Sequence, residues 1–218
     1  CPDLRGHGRS QGERGLLFTE KILCQDLNAL TASLATRHPG LPVLLAGESM
    51  GELLAAEYAR REGERLRALA LLVPAFQVQL ACLAPSMDLV AQVAQSRIEI
   101  DTDQNLRLSS RSAGFISAKK EDPLVTHHVN PIYLVRLGVM GVQWPWVARA
   151  IHLPLFVGVA GHDQIVSNPK AHQVYQAVST PPSQKCYKEW QVVHHTLFWD
   201  PETPAVVSDL TDWLVEQI

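Results

Sequence analysis

The stretch that most constrains this chain is Gly47-Glu48-Ser49-Met50-Gly51, set between the apolar run Pro42–Ala46 and the helix-forming run Glu52–Arg61. A Gly-x-Ser-x-Gly turn that passes straight from a buried strand into a helix drives its serine into a strained backbone conformation. Glycines on either side remove Cβ atoms that would clash there. The spacing therefore predicts a nucleophile elbow with the Ser49 hydroxyl standing clear at the end of a sheet. The helix that follows carries Leu53, Leu54, Ala56, Tyr58 and Ala59 and meets no breaker before Gly63. A plainer alternative for the same residues is a tight turn whose serine only caps the helix.

The surrounding pattern is that of a parallel α/β sheet. Residues Glu20 to Arg37 form an amphipathic repeat closed by His38-Pro39-Gly40, and Leu66 to Val73 is a second run after the elbow helix, apolar but for Arg67. From Pro74 to about Arg149 the pattern changes to helical segments broken by polar loops. Leu153 to Ala160 then resumes the buried-strand pattern, followed by a helix over Pro169–Val178, a strand over Lys185–Trp190 and a terminal helix over Pro204–Ile218. The expected division is a first part of the core over 1–73, an inserted helical cap over 74–150 and a second part of the core over 151–218.

A serine is a weak nucleophile at neutral pH and needs a base within hydrogen-bond reach and an acid to orient that base. Asp163 lies just past the carboxyl end of the strand ending at Ala160, and His194 and His195 follow the next strand. Strand ends of a parallel sheet collect at one edge, so Ser49, Asp163 and one of the two histidines are expected to meet there. The order serine, aspartate, histidine is that of α/β-hydrolases. Asp163 could instead hold a turn or cap a helix, and either histidine could be satisfied by backbone. His162 precedes the acid on its own loop and is expected to be exposed.

Taken together, Asp3 to Gly15, the elbow, Asp122-Pro123-Leu124, Gly161 to Val166 and the late histidine resemble the monoacylglycerol lipase and lysophospholipase branch of the α/β-hydrolases, of serine aminopeptidase S33 type. That resemblance implies a mostly parallel sheet flanked by helices with an inserted helical cap. It implies a serine hydrolase cleaving carboxylic esters, monoacylglycerol or lysophospholipid, through Ser49, Asp163 and His195 and an acyl-enzyme. His195 is chosen over His194 because the family pattern places an acidic residue five positions later, which Asp200 satisfies. The Met50 backbone N–H is the expected oxyanion donor. No cofactor and no metal are implied.

The resemblance also places three strands, and a loop carrying a second oxyanion donor, ahead of Cys1, so the expectation is a chain truncated at its N-terminus. The alternative function is accordingly a non-catalytic hydrolase-like binding module or an inactive fragment lacking the oxyanion-hole loop. Glu52 stands where the family usually has glycine, and is expected to be solvated or to point into space left by the missing strands. Glu48 is expected to tune the elbow loop.

A formal net charge of −3 provides no basic field for nucleic acid. Cys1, Cys24, Cys82 and Cys186 have neither metal-site spacing nor disulfide density and fit a reducing compartment. No apolar stretch is long enough to span a membrane, and the expected location is cytoplasmic or peripheral to a membrane. Leu80, Leu83, Met87, Val90, Ala91 and Ala94 approximate one helical face that would serve either as a lid touching a membrane surface or as ordinary core packing. Trp144 and Trp146 flank Pro145 and would line an acyl channel or pack a hinge.

Overall fold

The structure, a computed structural model, describes residues 1–78, 93, 95–99 and 102–218. In chain order its main elements are α1 (Glu20–Arg37), β1 (Leu44–Glu48), α2 (Met50–Glu62), β2 (Ala68–Leu72), β3 (Ile98–Glu99), α3 (Thr102–Ser109), α4 (Ala113–Glu121), β4 (His128–Val129), α5 (Pro131–Arg149), β5 (Leu155–Ala160), α6 (Asn168–Ala177), β6 (Lys185–Trp190) and α7 (Thr203–Val215). Strands β1, β2, β5 and β6 form one parallel sheet in the order β1-β2-β5-β6. With helices around that sheet and a helical region inserted between β2 and β5, this is the α/β-hydrolase architecture expected from the sequence.

The central strands show why their sequences are continuously apolar. Every residue of β2 and β5 is buried, as both faces of a parallel sheet are covered by helices. The outer strands β1 and β6 are only partly buried and tolerate Glu48, Lys185, Lys188 and Glu189. Helix α2 packs its small residues Ala55, Ala56 and Ala59 into the core beside Leu53, Leu54 and Tyr58. The buried Tyr58 hydroxyl donates to Asn28 Oδ1 (2.9 Å) and lies 3.0 Å from Thr31 Oγ1, tying α2 to α1. At the β5–β6 end, Trp213 of α7 packs on Phe156 with centroids 5.5 Å apart, and Trp190 Nε1 donates to Asp209 Oδ2.

The inserted region contains α3, α4, α5 and a two-stranded antiparallel ribbon, β3 with β4, that the residue pattern does not announce. Two residues per strand are too few to display a period. The two tryptophans flanking Pro145 part company. Trp144 is buried and stacked on Phe76 (4.0 Å, 17°), whereas Trp146 is exposed. The apolar face read over Leu80–Ala94 lies outside the described residues.

Candidate active site

Ser49 links β1 to α2 with φ 53° and ψ −122°, a region that a residue bearing a side chain rarely occupies. Its own N–H donates to the Leu72 carbonyl (2.9 Å), which clamps the turn to β2. Gly47 is required by contact: a Cβ there would lie 2.4 Å from the Gly51 carbonyl oxygen and 2.6 Å from Glu52 Cα. Gly51 departs from the expectation that both glycines relieve a clash. Among the described residues, a Cβ at Gly51 in the first turn of α2 would meet nothing within 4 Å.

Of the histidines after β6, only His195 reaches the serine. Its Nε2 lies 2.8 Å from Ser49 Oγ and its Nδ1 lies 2.8 Å from Asp163 Oδ2. With the Ser49 hydroxyl donating to Nε2, the Nδ1–H donates to the carboxylate. Both partners are shielded from water, His195 being 7% exposed and the Asp163 side chain 0%. Asp163 also holds its turn, since its Oδ1 accepts from the amides of Ile165 (2.8 Å) and Val166 (2.9 Å). The turn role and the contact with histidine therefore coexist, one on each oxygen.

His194 faces the other way. Its Nδ1 is 3.5 Å from Asp200 Oδ2, and its ring meets that of the exposed His162 edge-on at 5.6 Å. As the first residue of α2, Met50 has a backbone N–H without an acceptor in its own helix. Its Sδ accepts from the hydroxyl of Tyr133 in α5, a phenol whose pKa burial pushes up to about 12. Tyr133 carries no local sequence signal, since nothing in the spacing of the insertion points to the elbow.

Two glutamates near the serine have distinct positions. Glu48 Oε1 accepts the Leu197 amide (3.0 Å), so the residue before the serine anchors the loop that carries His195. Burial raises its carboxyl, against the opposing pull of His195 and of the Leu197 amide. Glu52 is neither solvated nor exposed to open space: it is 0% exposed, and burial holds its carboxyl well above the ordinary range. The reason is its position in the first turn of α2, which directs it toward the buried segment after β2 at Ala75.

The Asp3–Gly15 segment forms a loop braced by its own polar groups. Arg5 forks onto Asp26 of α1 at 2.6 and 3.0 Å, and Asp3 Oδ2 accepts the Arg9 amide. Among the described residues there is no group of three or more metal-ligating side chains, and no helix is long and apolar enough to cross a membrane.

A protein-family model described as serine aminopeptidase, S33, matches residues 1–202. The monoacylglycerol lipase of Mycolicibacterium smegmatis (strain ATCC 700084 / mc(2)155) is 28% identical over 219 residues, covering 99% of this chain and 77% of the relative. The phospholipase YtpA of Bacillus subtilis (strain 168) is 25% identical over 210 residues, covering 94% of this chain and 79% of that protein. Among solved structures, the monoacylglycerol lipase of Paleococcus ferrophilus superposes with a TM-score of 0.81 at 20% identity, over 99% of this chain and 82% of the other, a likeness of fold.

Proposed function

The chain belongs to the serine aminopeptidase S33 family of the α/β-hydrolase superfamily, and we propose that it is a serine hydrolase of carboxylic esters that works through an acyl-enzyme. The observation that carries the proposal is the pair of 2.8 Å contacts linking Ser49 Oγ, His195 and Asp163 Oδ2. In this scheme His195 Nε2 takes the serine proton as Oγ attacks the ester carbonyl. Asp163 holds the imidazole in the productive tautomer and stabilises its cation. The imidazolium then protonates the leaving alkoxide, and a water activated by the same nitrogen releases the acid. The Met50 N–H, at the positive end of α2, faces the charge that develops on the carbonyl oxygen.

The proposed substrates are monoacylglycerols or lysophospholipids, drawn to the scheme by relatives whose names are monoacylglycerol lipase and phospholipase. Residues 74–150 act in this proposal as a cap between core segments 1–73 and 151–218. A transient contact of the cap with a lipid surface finds support in α5. Its residues Val135, Val139, Val142 and Trp146, spaced to share one face, are 44 to 71% exposed.

A chain-length series of 4-nitrophenyl esters, run beside Ser49→Ala, tests the proposal. The expected result is turnover that favours medium or long acyl groups over acetate and disappears in the variant. Turnover surviving in Ser49→Ala would remove the catalytic assignment, and a preference for acetate would remove the lipid one.

A further inference from the structure

The amides around His195 are held by three separate parts of the molecule. The His194 N–H donates to Asp200 Oδ2 (3.2 Å), the Leu197 N–H to Glu48 at the elbow, and the Thr196 N–H to the Ser109 carbonyl (2.9 Å). Ser109 closes α3, so the third anchor comes from the inserted region. Thr196 Oγ1 donates to the same carbonyl at 3.0 Å. Two residues further on, Arg111 Nη2 donates to Asp200 Oδ1 (3.1 Å) and to Glu202 Oε2. Phe115 of α4 stacks on Trp199 with centroids 5.4 Å apart.

Asp200 is the hub of this contact. Its side chain is 0% exposed, with Oδ2 occupied by the His194 amide and Oδ1 by Arg111 and, at 3.3 Å, the Glu202 amide. A carboxylate so placed needs a cation, and Arg111 supplies one from the insertion. Once that cation is removed, the carboxylate turns toward water and the His194 amide follows it. His195 is the next residue, and displacement of a reacting group by about 1 Å costs on the order of 10² in rate.

We infer that Arg111 is a positioning residue: acting through Asp200, it keeps His195 Nε2 within reach of Ser49 and so makes the base depend on the seating of the inserted 109–115 segment. The inference rests on the proposed role of His195 as the base. It separates from a structural role because the Arg111 side chain is 39% exposed: its removal opens the Asp200 carboxylate to water instead of leaving the charge buried and unpaired. The full penalty of a broken buried pair is thereby avoided, and the change falls on the loop that carries His195. Replacing it should therefore move catalysis far more than stability.

The test compares the unsubstituted chain with Arg111→Met, Arg111→Lys and His195→Ala on a 4-nitrophenyl ester, with a thermal melt for each. Arg111→Met should lower kcat about tenfold or more while KM and the melting temperature stay close to those of the parent, and Arg111→Lys should recover most of kcat. Unchanged kcat in Arg111→Met overturns the inference, as does a rise in KM alone or a loss of kcat matched by a large fall in melting temperature. If the unsubstituted chain has no turnover, or His195→Ala keeps it, the proposed function fails and this inference fails with it. Normal behaviour of those two chains beside an unaltered Arg111→Met overturns the inference alone.

Discussion

Glu52→Gln should flatten the dependence of stability on pH. Glu52 is fully buried, neither of its carboxyl oxygens has a hydrogen-bond partner of good geometry among the described residues, and the nearby Ala75 amide offsets its desolvation only in part. Its folded-state pKa is accordingly raised well above the ordinary value. A carboxyl raised in this way keeps, in the folded chain, a proton that the unfolded chain releases. The neutral side chain is tolerated in full below the unfolded value of about 4.3. Above it, stability falls by about 1.4 kcal/mol for each pH unit until the folded-state value is passed. Glutamine has nearly the same shape and does not titrate. Glu48 is also raised by burial and adds a slope of the same sign, so the informative quantity is the difference between parent and variant. Urea unfolding of both at several pH values from 5 to 8 should show the variant gaining on the parent as pH rises. Two curves that run parallel across that range would mean that Glu52 is ionised or hydrated in the fold, and the reasoning would be refuted.

Gly47→Ala should destabilise the chain by about 1–3 kcal/mol, because the atoms its Cβ would strike are backbone and cannot swing away. Gly51→Ala, whose Cβ would meet nothing among the described residues, should hold or raise the melting temperature, by up to about 1 kcal/mol in stability; equal losses in the two variants would contradict this account of the elbow. Asp163→Asn preserves an acceptor for the Ile165 and Val166 amides but offers an N–H to His195 Nδ1, which forces the tautomer that presents a proton toward Ser49. Ester turnover should fall by a factor on the order of 10⁴ with little change in the melt, and a kcat within tenfold of the parent would remove Asp163 from the scheme.

The elements most legible in the sequence were those with strong punctuation. Helix α1 runs from Glu20 to Arg37 as read, because His38-Pro39-Gly40 leaves it nowhere to continue, and β6 spans Lys185–Trp190 as read. The elbow strand, read as the apolar run from Pro42 ending at Gly47, pairs with β2 over Leu44–Glu48 and so takes in a glutamate that propensity would exclude. Helix α2 begins at Met50 rather than Glu52 because the strained Ser49 serves as its boundary.

Within the candidate site, spacing pointed to Ser49, Asp163 and one of His194 and His195, the choice of His195 resting on the family resemblance, and the fold brings Ser49, Asp163 and His195 together. Spacing could not show what surrounds them. The burial of Glu52 depends on which side of α2 meets the segment after β2, and the contact of Asp200 with Arg111 joins positions 89 residues apart. Tyr133 reaches Met50 across 83 residues. Such contacts are products of tertiary packing and leave no local period to read.

The central claim is that Ser49, activated by His195, is a nucleophile. Its most direct test is labelling of the chain with a fluorophosphonate, read by intact mass, beside Ser49→Ala and His195→Ala. The account predicts a single phosphonyl adduct on the parent, none on Ser49→Ala and greatly slowed labelling of His195→Ala. A cooperatively melting parent that takes no label, or an adduct that persists in Ser49→Ala, would contradict it.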